Sequence, residues 1–217
     1  MKKLYSNMTD NGVLNALKRA SSPCQPHLCM DIGSWDGGDA IALANTFTKS
    51  IVIAVEGSPM RIETVIKNCR YETRIKVIQA AVSGEDKTDV TMYHSFLDGD
   101  PHCGTLKGFQ NNKKFPKGWK EVAPVYVTTV SASSLITKLG MGIPDIIHMD
   151  VEGSEYDILS SLFSSGMFPR LISMEVVGGE WFEEAPSRTA LSGIMMAYGY
   201  SILMDAHSDE AWIRQLQ

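Results

Sequence analysis

Two stretches concentrate the side chains that could do chemistry. Asp150-Val151-Glu152-Gly153-Ser154-Glu155 sets three carboxylates within six residues, and Glu175 stands inside the otherwise apolar Ile172-Ser173-Met174-Glu175-Val176. Along an extended segment Asp150 and Glu152 share a side, and Glu155 enters a helix one turn later. A carboxylate flanked by that much hydrophobic sequence needs a partner or a purpose. Clustered acids raise one another's pKa and give a general base near neutrality, or they hold a divalent cation. The plainer alternative makes Glu152 and Glu155 helix-start acids favoured by the macrodipole. His148 precedes Asp150 by two residues and shares its face; it serves either as an acid or base or as a hydrogen-bonded core residue.

A second constellation lies upstream. Asp31-Ile32-Gly33-Ser34-Trp35-Asp36-Gly37-Gly38-Asp39 follows an apolar run and opens an amphipathic one. In α/β folds, ligands bind beyond the carboxyl ends of the strands, where glycines let backbone amides approach closely. Dinucleotide sites show G-x-G-x-x-G with a helix N-terminus facing pyrophosphate, and this loop has instead Asp31, Asp36 and Asp39. Carboxylates beside a phosphate would repel it, whereas they suit a ligand with an ammonium group. S-adenosylmethionine carries one, so the loop favours it over NAD or ATP; a plain turn whose acids cap the helix is the alternative. Glu56 ends the next apolar run, about 20 residues on, where a carboxylate accepts both ribose hydroxyls of an adenosine.

The elements that must position these groups follow from periodicity. Leu28–Ile32, Ile51–Val55, Ile75–Val82, Asp145–Val151, Leu171–Val177, Tyr200–Met204 and Trp212–Leu216 read as strands. Between them, apolar residues recur at helical spacing: Ala40, Leu43, Ala44, Phe47; Ile62, Val65, Ile66, Cys69; Ile158, Leu159, Leu162, Phe163; and Leu191, Ile194, Met195, Tyr198. A first helix with Val13, Leu14 and Leu17 is capped by Thr9 or Asp10. Strands alternating with helices imply parallel pairing in one doubly wound α/β domain over 1–217. Residues 1–27 form an N-terminal helix and linker, and 84–130 an antiparallel insertion.

In that insertion Val90–Tyr93 and Val122–Val130 read as strands, with Pro124 marking an edge or a bulge. The stretch from Ser95 to Lys120 between them reads as a loop. The insertion holds His94, His102 and Cys103, then Lys107, Lys113, Lys114, Lys117 and Lys120 interleaved with Phe109, Phe115 and Trp119. Basic and aromatic residues so mixed can grip an anionic or planar substrate. A lid over the active site is the expectation, a solvated loop the alternative.

Hydrophobic residues at 44% and charged residues at 21% describe a soluble globular chain able to bury a sizeable core. The formal net charge of -5 argues against nucleic acid or an anionic membrane as partner. No apolar run reaches the roughly 20 residues that span a bilayer. Lys2 and Lys3 have no apolar core behind them, so the start is not a secretory signal. Cys24, Cys29, Cys69 and Cys103 lack metal-ligand spacing. They read as reduced, structural cysteines of a cytoplasmic enzyme.

Asp31-Ile32-Gly33-Ser34 with the glycines behind it, Val55-Glu56-Gly57-Ser58-Pro59, Ala80-Ala81-Val82-Ser83, Asp150-Val151-Glu152-Gly153-Ser154-Glu155 and Met174-Glu175-Val176 resemble, in order, the motifs of the FkbM-type methyltransferases. The resemblance covers roughly Leu28 to Val177, and Asp-Val-Glu-Gly-x-Glu is its most specific piece. It implies a class I methyltransferase fold, a mostly parallel seven-stranded Rossmann-like sheet, with S-adenosylmethionine as cofactor. It also implies contacts of Asp31, Gly33 and Ser34 with the methionine part, in the loop where Asp36 lies, and of Glu56 with the ribose. Gln79, Ala80 and Ala81 are implied near the adenine, and Asp150, Glu152 and Glu175 facing the acceptor. Two positions depart from the family: Lys often stands where His148 is, and Glu-Pro where Glu56-Gly57 is.

The expectation is methyl transfer to a hydroxyl of a small molecule or glycan, with Asp150 first among the groups that orient or deprotonate it. An amide or amine nitrogen, in a modified peptide for instance, is the nearest alternative. A non-catalytic binding module and a nicotinamide oxidoreductase are the other two. No metal is assigned, although acids ending neighbouring strands could share an ion. A homodimer is left open.

Overall fold

The computed structural model describes residues 8, 12–22, 24–98, 100–110, 117–176, 182–206 and 208–215, the side chain of His102 excepted. The first half of the chain runs α1 (Val13–Ala20), β1 (Leu28–Ile32), α2 (Gly38–Thr46), β2 (Ile51–Glu56), α3 (Ile62–Cys69) and β3 (Ile75–Gln79). Four strands follow: β4 (Ala81–Ser83), β5 (Lys87–Leu97), β6 (Asp100–Thr105) and β7 (Trp119–Ser131). The rest alternates α4 (Ala132–Leu139), β8 (Ile146–Met149), α5 (Glu155–Ser164), β9 (Leu171–Glu175), α6 (Arg188–Ala197), β10 (Tyr200–Ala206) and β11 (Asp209–Arg214).

The main sheet has seven strands in the order β10-β11-β9-β8-β1-β2-β3. Its pairings β1–β2, β1–β8, β2–β3 and β8–β9 are parallel, and β11 alone runs against its neighbours β9 and β10. The expected mostly parallel, doubly wound sheet is therefore present. Alternation along each strand splits the core between two faces. Met30, Ile32, Ile147, Met149, Ile172 and Met174 face α4, α5 and α6. Cys29, Val52, Ala54, Ile146 and Leu171 face α1, α2 and α3. Cys29 and Cys69 are buried in this second layer, as their patterning predicts. Ile66 alone of the α3 set points outward.

Three expectations change. The strand expected over Ile75–Val82 is two: the Ala80 amide bonds the Glu56 carbonyl (3.0 Å), and the chain then leaves the main sheet where β2 ends. Glycine at position 57 permits that exit, because a Cβ there would stand 2.9 Å from the Ala81 Cα. Second, Ser95–Lys120 is not simply a loop. β5 extends to Leu97, β6 pairs antiparallel with it, and β7 begins at Trp119, giving a second sheet ordered β4-β7-β5-β6. The residues Asp-Pro-His-Cys-Gly-Thr of β6 are poor strand formers, so only pairing with β5 makes this a strand. Third, α4 lies unread between β7 and β8; Ser131 caps it by accepting from the Ser134 amide (3.2 Å).

Pro124 falls in a register shift between Met92↔Val125 and His94↔Val122, the bulge its presence suggests. Thr9, Asp10, Val177 and Leu216, read as caps and strand ends, lie outside the described residues, as do Lys113, Lys114 and Phe115. Among the described residues, no helix is long and apolar enough to cross a membrane.

Leu159 is fully buried between α5 and the sheet. Its replacement in Leu159→Ala removes a large apolar group from a packed core and should cost about 2–5 kcal/mol in urea unfolding, with the m-value unchanged.

Candidate active site

The chain runs outward from β1 through β2 to β3 and returns to β8 on the other flank of β1, so its direction reverses between β1 and β8. Ligand clefts of open α/β sheets form at such a reversal, outside the carboxyl ends of the strands. A cavity of about 310 Å³ lies there. The glycine loop supplies Gly33, Ser34, Trp35, Asp36 and Asp39; the end of β2 supplies Glu56, Gly57, Ser58 and Arg61. Ala80 and Ala81 line a third side, Asp150, Val151, Glu152 and Glu175 the base of a fourth. The second sheet closes the rest with Met92, His94, Pro101, Cys103, Gly104 and Leu106.

Backbone contacts fix these pieces to one another. The Gly33 and Ser34 amides both donate to the Val55 carbonyl (2.9 and 3.1 Å), and the Asp150 amide donates to the Ile32 carbonyl (2.9 Å). Gly33 has φ +88°, and a Cβ on it would lie 1.8 Å from the Asp150 carbonyl oxygen. Only glycine lets the loop and the acidic turn meet there.

Glu56 is buried, and its carboxylate accepts from two amides, Trp35 N–H and Ser58 N–H, at 2.7 Å each. Burial pushes its pKa up to about 7, against the pull of those two bonds and of Arg61. Trp35 occupies the left-handed region (φ +54°), which few side chains adopt. Arg61 secures it, with its guanidinium 3.9 Å from the indole centroid and its Nε donating to the Trp35 carbonyl (3.3 Å).

Asp31 is wholly buried just below the cavity wall. Its Oδ2 accepts the Ser34 hydroxyl (2.7 Å), while Oδ1 has no hydrogen-bond partner among the described residues. Burial raises its pKa, with His148 opposing. His148 stands beside Asp31 in the sheet and is also buried, not at the cavity wall. Its Nδ1 meets Ser173 Oγ at 3.0 Å and its Nε2 lies 3.8 Å from Asp39. Asp36 Oδ1 accepts the Gly38 amide (2.9 Å) at the start of α2. Gln79, expected with Ala80 and Ala81, points to solvent.

Oxygens of Asp150, Glu152 and Glu175 lie within 4.8 Å of one another. That spacing would also admit one cation, but an acid cluster alone does not make a metal site. Burial, followed by the charges of Asp150 and Glu152, drives the Glu175 pKa far above the carboxylate range, so it stays protonated. It donates to Asp150, whose own pKa is raised by burial and restrained by this bond and by His148. Asp150 is the member of the pair that carries charge. Burial and the Asp150 charge raise Glu152 as well. Glu155 faces away from the acids' cavity and accepts from the Val151 (3.3 Å) and Gly153 (3.1 Å) amides, bracing the turn from below.

Sequence reasoning thus finds the loop, Glu56 and the acidic turn, and the fold brings them to one cavity. The expected cover over the site is there, with His94 and Cys103 in it, but built from the paired strands β5 and β6; Arg61, the role of Ser58, and Met92, Pro101, Gly104 and Leu106 are missed. A signal for Arg61 existed, one helical turn past Ser58-Pro59; the pairing that makes the roof a sheet left none.

The family model of the FkbM methyltransferase domain matches residues 31–202. The chain belongs to that family. A search of curated protein sequences returns no match. Among solved structures, the FkbM chain is similar to SAH-bound methyltransferase PaMTH1 of Podospora anserina, with 13% identity and a TM-score of 0.56 over 99% of this chain and 80% of that one. It is also similar to precorrin-6y C5,15-methyltransferase of Geobacter metallireducens GS-15, with 12% identity and a TM-score of 0.52 over 98% and 90% of the two chains. Magnesium protoporphyrin IX methyltransferase of Synechocystis PCC 6803, solved with bound SAM, gives 10% identity and a TM-score of 0.51 over 98% and 86%. These likenesses concern the fold.

Two outcomes follow from the geometry. Gly33→Ala should abolish binding of adenosine ligands and lower thermal stability, because the 1.8 Å encounter forces the Asp150 backbone away. The raised carboxyls bind protons more tightly in the folded protein than in the unfolded chain. Stability is therefore fully present below the ordinary carboxylate range and is lost as pH climbs through the folded values, about 7 for Glu56 and Glu155. The melting temperature should fall from about pH 5 to about pH 8, and Glu175→Gln should flatten that slope.

Proposed function

We propose that this FkbM protein transfers a methyl group from S-adenosylmethionine to a hydroxyl oxygen of a small molecule or glycan. The observation that carries the reading is the sharing of one cavity by the glycine loop, Glu56 and the three carboxyl groups of Asp150, Glu152 and Glu175. S-adenosylmethionine supplies an electrophilic methyl group on a sulfonium. The chain's residues fit such a donor. The unpartnered, buried Oδ1 of Asp31 and the carboxylates of Asp36 and Asp39 place negative potential at the glycine loop, where the ammonium group would be held. Glu56 offers its remaining lone pairs to the ribose, and Ala80 and Ala81 give a flat, small-residue wall for the adenine.

On the acceptor side, ionised Asp150 takes the proton that a hydroxyl must lose, and Glu175, protonated beside it, keeps that charge in place. Glu152, raised by the same crowding, is a second base in range of neutral pH. This arrangement supports oxygen over nitrogen. An amine would enter as an ammonium ion, and three adjacent carboxyl groups would hold its proton on. The four cysteines are free, which supports the cytosolic setting that goes with this reading.

Calorimetric titration with S-adenosylmethionine, S-adenosylhomocysteine and NAD tests the reading. Micromolar binding of the first two, lost in Asp31→Ala and Glu56→Ala, is expected. A screen of polyol and amine acceptors should then yield methyl ethers, with Asp150→Asn slowing turnover by about 10²–10⁴. Binding of NAD alone, or of none of the three, would overturn it; methylated amines would move the acceptor to nitrogen.

A further inference from the structure

The acidic turn is held from above by a strand that belongs to neither the main sheet nor the glycine loop. Glu152 sits in the left-handed region (φ +55°), a strained choice for a residue with a side chain. Such a conformation persists only where surrounding contacts over-determine it. The buried Thr105, at the end of β6, donates its hydroxyl to the Glu152 carbonyl at 2.6 Å. The same hydroxyl accepts the Lys107 amide at 3.0 Å, so its rotation is fixed in both roles. Lys107 in turn ties the segment to α5 through Asp157, at 2.6 Å. Two residues earlier and on the same side of β6, the Cys103 thiol faces the Glu152 carboxylate and donates to it. β6 therefore grips Glu152 twice, by its carbonyl and by its side chain. From below, Glu155 accepts the amides of Val151 and Gly153, which fixes the peptide groups on either side of Glu152 but not its side chain.

We infer that Thr105 is a positioning residue for Glu152, and that strand β6 rather than the main sheet sets where this carboxylate stands. Without the Thr105 hydroxyl the turn relaxes from its left-handed conformation, and the carboxylate swings out of the crowded, water-poor corner beside Asp150. The inference rests on the reading of Glu152 as an acceptor-side acid.

The test is a ¹³C NMR titration of the Glu152 carboxyl in the full chain, assigned through Glu152→Gln, with S-adenosylhomocysteine affinity measured in parallel. Thr105→Val should lower the Glu152 midpoint by at least about one pH unit toward the ordinary glutamate value. Thr105→Ser should restore it, and affinity for S-adenosylhomocysteine should stay within about threefold in both. Cys103→Ala should move the midpoint the other way, upward, because it removes a donor to the ionised form. General loosening of the fold would not produce opposite shifts. A midpoint unmoved in Thr105→Val overturns the inference; if that variant does not fold, an unmoved midpoint in Thr105→Ala does so. Absence of S-adenosylhomocysteine binding in the unaltered protein would instead count against the cofactor reading and leave the midpoint shifts to judge Thr105.

Discussion

The contact between Gly33 and the Asp150 carbonyl governs the rest of the site. Two strands, β1 and β8, end side by side, and the chain leaves each in a different direction with no room for a Cβ between them. Three backbone hydrogen bonds, to the carbonyls of Val55 and Ile32, lock the loop, β2 and the acidic turn into one unit. The nucleoside end and the acceptor end of the cavity are therefore not independent modules. Their separation is set by the spacing of adjacent parallel strands, which sequence variation elsewhere cannot change.

That rigidity places acids where water is scarce. Asp31, Glu56, Asp150, Glu152, Glu155 and Glu175 all have pKa values raised by burial first, with the charge of neighbouring carboxylates adding to it. The chain offsets this strain mainly with local hydrogen bonds, with the Arg61 guanidinium helping at Glu56. Glu56 and Glu155 are each satisfied by two backbone amides, and Glu175 shares its proton with Asp150. Lys107, the basic side chain closest in sequence to the roof residues, is committed to Asp157. The acids are left as hydrogen-bonding and proton-accepting groups, which is what chemistry at a neutral acceptor needs.

Much of this was legible in the sequence for a physical reason. The β1, β2, β8 and β9 runs are buried on both faces, so they appear as continuous apolar segments, and the acids at their ends stand out by contrast. What stayed hidden depends on long-range pairing. β6 contains Asp, Pro and Gly and exists because β5 is there to pair with it. The left-handed backbone of Trp35 and Glu152 has no signature in residue type, since neither is glycine or asparagine. His148 shares the parity of Asp150 in sequence, but it is buried within β8 while Asp150 lies past the strand's end at the cavity, and alternation along a strand carries no information about depth.

The position of β11 has a consequence for how the molecule is made. It enters between β9 and β10 instead of extending the edge of the sheet, and its Asp209 pairs in register with Glu175. A chain lengthening from its N-terminus can stack β1, β2 and β3 early, yet β9 keeps an open flank until the last described strand arrives. Long-range pairings of this kind slow folding, because closure entropy is lost before contacts return it. Closing the flank beside Glu175 is thus one of the final events in the life of the nascent chain, whereas Asp150 and Glu152, carried on the turn after β8, meet the glycine loop without waiting for β11.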